Sequence, residues 1–209
     1  MTIRLHRGDL PDLSRYRNAV AIDTETMGLD HHRDRLCVVQ LSPGDGSADV
    51  VQIPRGQNPL GAAPADHLKA LLADHNILKI FHFARFDLGI LQQTLGVMPA
   101  PVYCTKIASR LVRTYTDKHG LKDLVRDLLG IDVSKQQQLS DWGAEELTDA
   151  QVAYAASDVL HLHALRKKLD AMLDREGRAD LAAACFRFLP DRVRLDLAGW
   201  AAEDIFAHS

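Results

Sequence analysis

Four carboxylates and one tyrosine carry the chemistry this sequence can do. Asp23 and Glu25 lie in AVAIDTET, Asp87 in FHFARFD, and Tyr154 and Asp158 in YAASD. On a strand, residues two apart share a face, so Asp23 and Glu25 project together from the end of an apolar run. On a helix, residues four apart share a face, which pairs Tyr154 with Asp158. Asp87 falls near the start of a helix that follows a strand, where the helix dipole favours an acid. Carboxylates brought together repel and need cations between them. Hard divalent ions such as Mg²⁺ or Mn²⁺ take all-oxygen ligand sets of this kind. Two such ions about 3.5–4 Å apart are suited to cutting phosphodiesters.

Each piece alone has a plainer explanation. D-x-E is a common ending for a strand that runs into a polar turn. Asp87 can be an ordinary first-turn acid, and His82 a satisfied histidine at the core edge. Tyr154 and Asp158 can be a core-edge tyrosine and a solvated acid, since helical spacing is easily met by chance.

The elements that must position these residues follow from the apolar pattern. Residues 19–25, 36–42 and 48–53 read as three closely spaced strands, with PGDGS as turn chemistry between the last two. That spacing predicts an antiparallel meander. Residues 55–64, rich in Gly and Pro, predict a surface loop. Helix and strand then alternate: helix 66–74, strand 77–81, helix 86–95 ending near Gly96, and amphipathic helices at 105–113 and 121–129. A long helix is expected over 149–175 with Thr148 as N-cap, and another over 178–189 ended by Pro190. The result is an α/β fold with a mixed central sheet, three meander strands plus parallel ones, flanked by helices.

Composition sets the bounds. The 209 residues suit one domain, expected here as a single unit over 1–209. Hydrophobic content of 46% provides a real core, and a net charge of −3 argues against a broad basic surface gripping long nucleic acid. Cys37, Cys104 and Cys185 are odd in number and lack C-x-x-C spacing, so they read as core filler in a reducing compartment. MTIRLHRGDL has no apolar signal-peptide core, and no run reaches the ~20 apolar residues of a membrane span. A cytoplasmic protein with no membrane partner is expected. The last stretch, about 190–209, holds Leu195, Leu197, Trp200, Ile205 and Phe206. A tail this apolar is expected to dock on its own domain or on a neighbouring subunit.

Taken in order, the acid pair on a first strand, the acid at a later strand–helix junction and Tyr-x-x-x-Asp on a late helix resemble the DEDD exonuclease superfamily in its tyrosine variant. LKDLVRDLLGIDVSKQQQLSDWGAEELTDAQVAYAASDVLHLHAL is similar to the approach to the third motif in ribonuclease D catalytic domains. DTETMGLDHHRDRLCVVQLSPGDGSADVVQI, KIFHFARFDL, CTKIASRLVRTYTDKHGLK and LDLAGWAAEDIFAHS resemble the compact bacterial nano-RNase C family, which has no HRDC domain.

The resemblance implies a 3′–5′ exoribonuclease that finishes RNA decay on very short oligoribonucleotides, above all dinucleotides, releasing nucleoside 5′-monophosphates. It implies two divalent cations, Mg²⁺ or Mn²⁺. Asp23, Glu25 and Asp158 would hold one ion, Asp23 would bridge to the second, and Asp87 would hold that ion directly or through water. Tyr154 would orient the attacking water. Leu29, after the Gly28 turn, would be an apolar wedge against the terminal base, with Met27 a weaker candidate. Further candidate substrate contacts are Thr24, His82, Phe83, Arg113, His119, Lys135 and Gln138, while Asp141 and Trp142 read as structural. A homo-oligomer, an octameric ring, is also implied. Two other functions stay open: a general ribonuclease D-like exonuclease on longer RNA or DNA 3′ ends, and a nucleic-acid-binding scaffold without chemistry.

Overall fold

The central strands of the sheet are apolar, β-branched runs whose opposite faces enter two separate cores. A computed structural model describes residues 2–55, 64–133, 137 and 139–208; the loop expected at 55–64 lies almost wholly outside them. The six strands are β1 (Thr2–Arg7), β2 (Ala19–Thr26), β3 (Leu36–Ser42), β4 (Ser47–Gln52), β5 (Leu78–Phe81) and β6 (Val102–Cys104). Their spatial order is β1-β4-β3-β2-β5-β6. β2, β3 and β4 form the expected antiparallel meander. β1 runs parallel to β4, β5 parallel to β2, and β6 parallel to β5.

Every residue of β3 and β4 is buried, because helices cover both faces. On one side Val20, Ile22, Val39 and Leu41 pack with α1 (Asp66–Ala73), α2 (Ala84–Leu95) and α7 (Ala179–Leu195). On the other, Ala21, Val38, Val50 and Ile80 meet α3 (Thr105–Val112), α4 (Leu121–Leu129), α5 (Asp149–Leu160) and α6 (Leu162–Arg175). Burying one leucine or isoleucine fully stabilises the fold by about 2 kcal/mol. The parity of β2 therefore fixes the site. Asp23 and Glu25 follow Ala21 onto the α5 face, whereas Thr24 follows Val20 and Ile22 onto the α2 face.

α5 starts where expected. The Thr148 hydroxyl accepts the N–H of Gln151 at 3.2 Å, and the Gln151 side-chain Oε1 accepts the Thr148 N–H at 3.0 Å. Ala155 and Ala156 are fully buried, so α5 lies close on the sheet. The single helix expected over 149–175 is instead two, broken at His161 (φ −100°, ψ −8°). The helix expected to stop at Pro190 runs through it to Leu195. Pro190 removes one hydrogen bond to the Phe186 carbonyl, but Leu189 and Val193, buried on either side of it, hold the helix together. A π-type turn at Asp196–Trp200 follows, with Gly199 at φ 111°.

The tail docks only in part. Asp196 takes Arg85, whose Nη2 lies 2.7 Å from Oδ1, and the same guanidinium donates to the Ala201 carbonyl at 2.9 Å. Leu197 packs on the core. Trp200, Ile205 and Phe206 stay exposed, Phe206 at 75%. Cys37 and Cys104 are buried and Cys185 is half-buried, all unpaired.

Candidate active site

Asp23 and Glu25 stand at the end of β2, where the strand leaves the sheet through a register shift between Glu25 and Thr26. Asp158, from the last turn of α5, meets them on the same sheet face. One carboxylate oxygen from each of Asp23, Glu25 and Asp158 lies within 4.8 Å of the others. Gln40, opposite Asp23 on β3, donates from Nε2 to Asp23 Oδ2 at 3.1 Å and fixes that carboxylate. Asp87 arrives from the other face. It is buried in the first turn of α2 and accepts the Thr24 hydroxyl at 2.7 Å. The three acids thus lie together, and Asp87 stands outside this group. Thr24, a candidate substrate contact by sequence, directs its hydroxyl to Asp87.

Electrostatics make this cluster a poor resting place for bare negative charge. Burial raises the Asp23 carboxyl well above the ordinary range, and Asp87, Asp158 and Glu25 add to the rise. Burial, then Asp158 and Asp87, push Glu25 to about 8. Burial also raises Asp87 and Asp158, opposed by the hydroxyls of Thr24 and Tyr154 respectively. Buried, mutually repelling, all-oxygen donors suit a hard divalent cation, which would relieve both penalties.

Tyr154 shares the cleft, half-buried, with its ring 6.0 Å from Trp142. Burial first, and the charges of Asp158, Glu25 and Asp23 after it, raise its hydroxyl above the usual phenol range. The group therefore stays protonated at neutral pH and can donate. Trp142 is 3% exposed and Asp141 accepts the Gly143 N–H at 3.0 Å, in keeping with structural roles.

The cleft of about 630 Å³ is lined by Asp23, Glu25, Asp158, Met27, Gly28, Leu29, His82 and the first turn of α4, with Asp87 outside the lining. Leu29 is 83% exposed. Its turn needs glycine at 28, because a Cβ there would overlap the Asp34 carboxylate that accepts the Asp30 N–H at 3.0 Å. Phe83 stands apart, in a shallower pocket that shares Leu29 with the main cleft. It adopts φ 70° at the N-cap of α2, an unusual conformation for a side chain of this size, with Lys106 Nζ 4.3 Å above its ring.

His82 is held neutral by burial. Thr105 gives its hydroxyl proton to the Phe81 carbonyl at 3.1 Å, so at 2.9 Å it accepts from His82 Nδ1, which places the neutral ring's proton on that nitrogen. Burial, and secondarily Lys106, lower its pKa to about 3. The folded protein then binds fewer protons than the unfolded chain between about pH 6.5 and 3, so stability falls as pH drops through that window. His82→Asn keeps a donor at the Nδ1 position and removes the titration. Thermal melts of this variant should fall less steeply than wild type between pH 6.5 and 4.

Two expected phosphate contacts are otherwise engaged. Arg113 is 2% exposed; its Nη2 binds Asp127 Oδ2 at 2.5 Å and its Nη1 the Lys118 carbonyl at 2.8 Å. It is a structural cation that ties α3 to α4, a correction that sequence could not supply because burial of an arginine leaves no local pattern. Arg113→Met should cost roughly 2–3 kcal/mol of stability in denaturant melts while sparing turnover. His119 Nδ1 lies 2.8 Å from the Ser109 hydroxyl and outside the cleft lining. Lys135 and Gln138 lie outside the described residues. Sequence reasoning missed Lys122, Leu139 and Ser140, which line the cleft. Only the amphipathic phase of α4 hinted at Lys122.

A mixed sheet whose acid-bearing strand meets a Tyr-x-x-x-Asp helix is the layout of DEDD exonucleases. The sequence matches the 3′–5′ exonuclease family over residues 11–174. The solved structure of Brucella melitensis NrnC with bound Mg²⁺ is 60% identical, covers the whole of both chains and superposes with a TM-score of 0.94. The same Brucella protein bound to pGG matches equally, at 60% identity and a TM-score of 0.94 over both chains. Ribonuclease D of Gluconacetobacter diazotrophicus is 38% identical over 172 residues, 82% of this chain and 42% of that relative. The chain thus spans about two fifths of the length of the curated relatives it matches. It belongs to the 3′–5′ exonuclease family, as a DEDD enzyme of the NrnC-like type. Among the described residues, no helix is long and apolar enough to cross a membrane.

Proposed function

We propose that this chain is a single-domain, divalent-cation-dependent 3′–5′ exoribonuclease that hydrolyses very short oligoribonucleotides, dinucleotides above all, to nucleoside 5′-monophosphates. The convergence of the Asp23, Glu25 and Asp158 oxygens within 4.8 Å carries the reading. The Brucella relative's bound Mg²⁺ and pGG support the ion and substrate class. Asp23, Glu25 and Asp158 would hold one ion, and Asp23 with Asp87 a second, Mg²⁺ or Mn²⁺. When bound, the pair supplies a hydroxide nucleophile at neutral pH and offsets charge on the leaving 3′ oxygen.

The protein's own groups do the positioning. Gln40 sets Asp23 and Thr24 sets Asp87. Tyr154, kept protonated, donates a hydrogen bond that orients the attacking water. Leu29 packs against the terminal base, where its exposure gives it reach. Exposed Trp200, Ile205 and Phe206 favour a homo-oligomer, with an octamer the arrangement that family resemblance suggests.

A 5′-labelled dinucleotide and a seven-mer, assayed side by side with Mg²⁺ and with chelator, test the proposal. Faster metal-dependent cleavage of the dinucleotide is expected. Equal turnover of both lengths would favour the general exonuclease instead.

A further inference from the structure

A cleft built from carboxylates must still receive a polyanion, and the ions between the acids do not hold the rest of a substrate's backbone. Arg113 is buried in its own ion pair, and His82 is uncharged. Among the described residues that line the cleft, Lys122 is the one permanently cationic side chain. It belongs to the wall formed by Gly120, Leu121, Lys122 and Asp123, the first turn of α4.

Helix stability does not account for a lysine there. The dipole disfavours a cation in a first turn and favours an acid; Asp123 beside it fits that rule and pairs with Arg126 at 2.9 Å. The Lys122 side chain forms no hydrogen bond or ion pair with any described residue, yet the residue is half-buried. A lysine without a protein partner, on the wall of a cleft read as taking phosphodiesters, is matched in charge by a phosphate group. An ammonium on a flexible stem is a point-charge ligand for phosphate oxygen.

We propose that Lys122 binds a non-bridging phosphate oxygen of the RNA from the α4 wall of the cleft. The assignment rests on the exoribonuclease reading above and adds the group that anchors the substrate's backbone. Such a contact forms in the ground state and persists in the transition state, so it acts on KM and spares kcat.

The test is steady-state hydrolysis of a 5′-phosphorylated diadenylate by the intact Mg²⁺-loaded protein over a series of KCl concentrations. It compares wild type, Lys122→Met and Lys122→Arg. Lys122→Met should raise KM roughly tenfold to a hundredfold, with kcat within a few-fold. Its plot of log kcat/KM against log salt should be shallower by about 0.7, the loss of one single-strand phosphate contact. Lys122→Arg should restore most of the KM, and the Mg²⁺ midpoint and melting temperature should match wild type in both variants. Wild-type KM and salt slope in Lys122→Met, beside an active wild type, would overturn this assignment alone. A KM defect with a lowered melting temperature and unchanged salt slope would make Lys122 structural and also overturn it. An inactive wild type would overturn the nuclease reading itself, and this assignment with it.

Discussion

Asp23→Asn should abolish turnover and, in chelator, make the protein more stable. Asp23 is the acid most enclosed by the others: burial raises its carboxyl, and Asp87, Asp158 and Glu25 raise it further. Asparagine keeps the shape and an acceptor for Gln40, which donates to Asp23 at 3.1 Å, while removing a buried negative charge. Relief of that repulsion stabilises the metal-free fold. The same change removes the oxygen expected to serve both cations. Loss of several kcal/mol of transition-state stabilisation corresponds to a rate lower by about 10³-fold or more. Thermal melts in EDTA, together with dinucleotide hydrolysis in Mg²⁺, check both halves. A wild-type-like rate would remove Asp23 from the chemistry. A lower metal-free melting temperature would contradict the electrostatic account.

Tyr154→Phe separates the tyrosine from the ions. Its hydroxyl is held protonated by burial and by the neighbouring carboxylates, so its role at neutral pH is that of a donor. Phenylalanine keeps the ring beside Trp142, whose centroid is 6.0 Å away, and leaves all four acids untouched. The expected result is a loss of about 10²-fold in kcat, the scale of a positioned proton donor, with Mn²⁺ affinity and melting temperature close to wild type. Unchanged kcat would show that water is oriented by something else. Weakened Mn²⁺ binding would assign the hydroxyl to the ion site instead.

The parts of this site that sequence made legible are those that follow from a period. Residues two apart on β2 and four apart on α5 must share faces, so the pairs Asp23–Glu25 and Tyr154–Asp158 were readable from period, while the meeting of the two pairs was implied by the family resemblance. Asp87 was readable as an acid in a first turn, but its attachment to Thr24 depends on the opposite parity of β2, which only the packing of α2 reveals. β1 left no signal because most of its residues are exposed and it has no apolar run. β6, with three residues, is too short for a pattern. The break at His161 falls without Gly or Pro in a stretch whose periodicity continues on both sides. At Pro190, burial of Leu189 and Val193 outweighs one lost hydrogen bond. Arg113 and Lys122 make the same point from opposite directions: both are cations in RTYTDKHGLK, and only tertiary burial decides which one is committed to the protein and which faces the cleft.

The most direct measurement is an anomalous difference map from crystals soaked in Mn²⁺. The account predicts one peak among the Asp23, Glu25 and Asp158 oxygens and a second shared by Asp23 with Asp87, both lost in Asp23→Asn. A map with no manganese at these carboxylates, at concentrations that support hydrolysis, would contradict it.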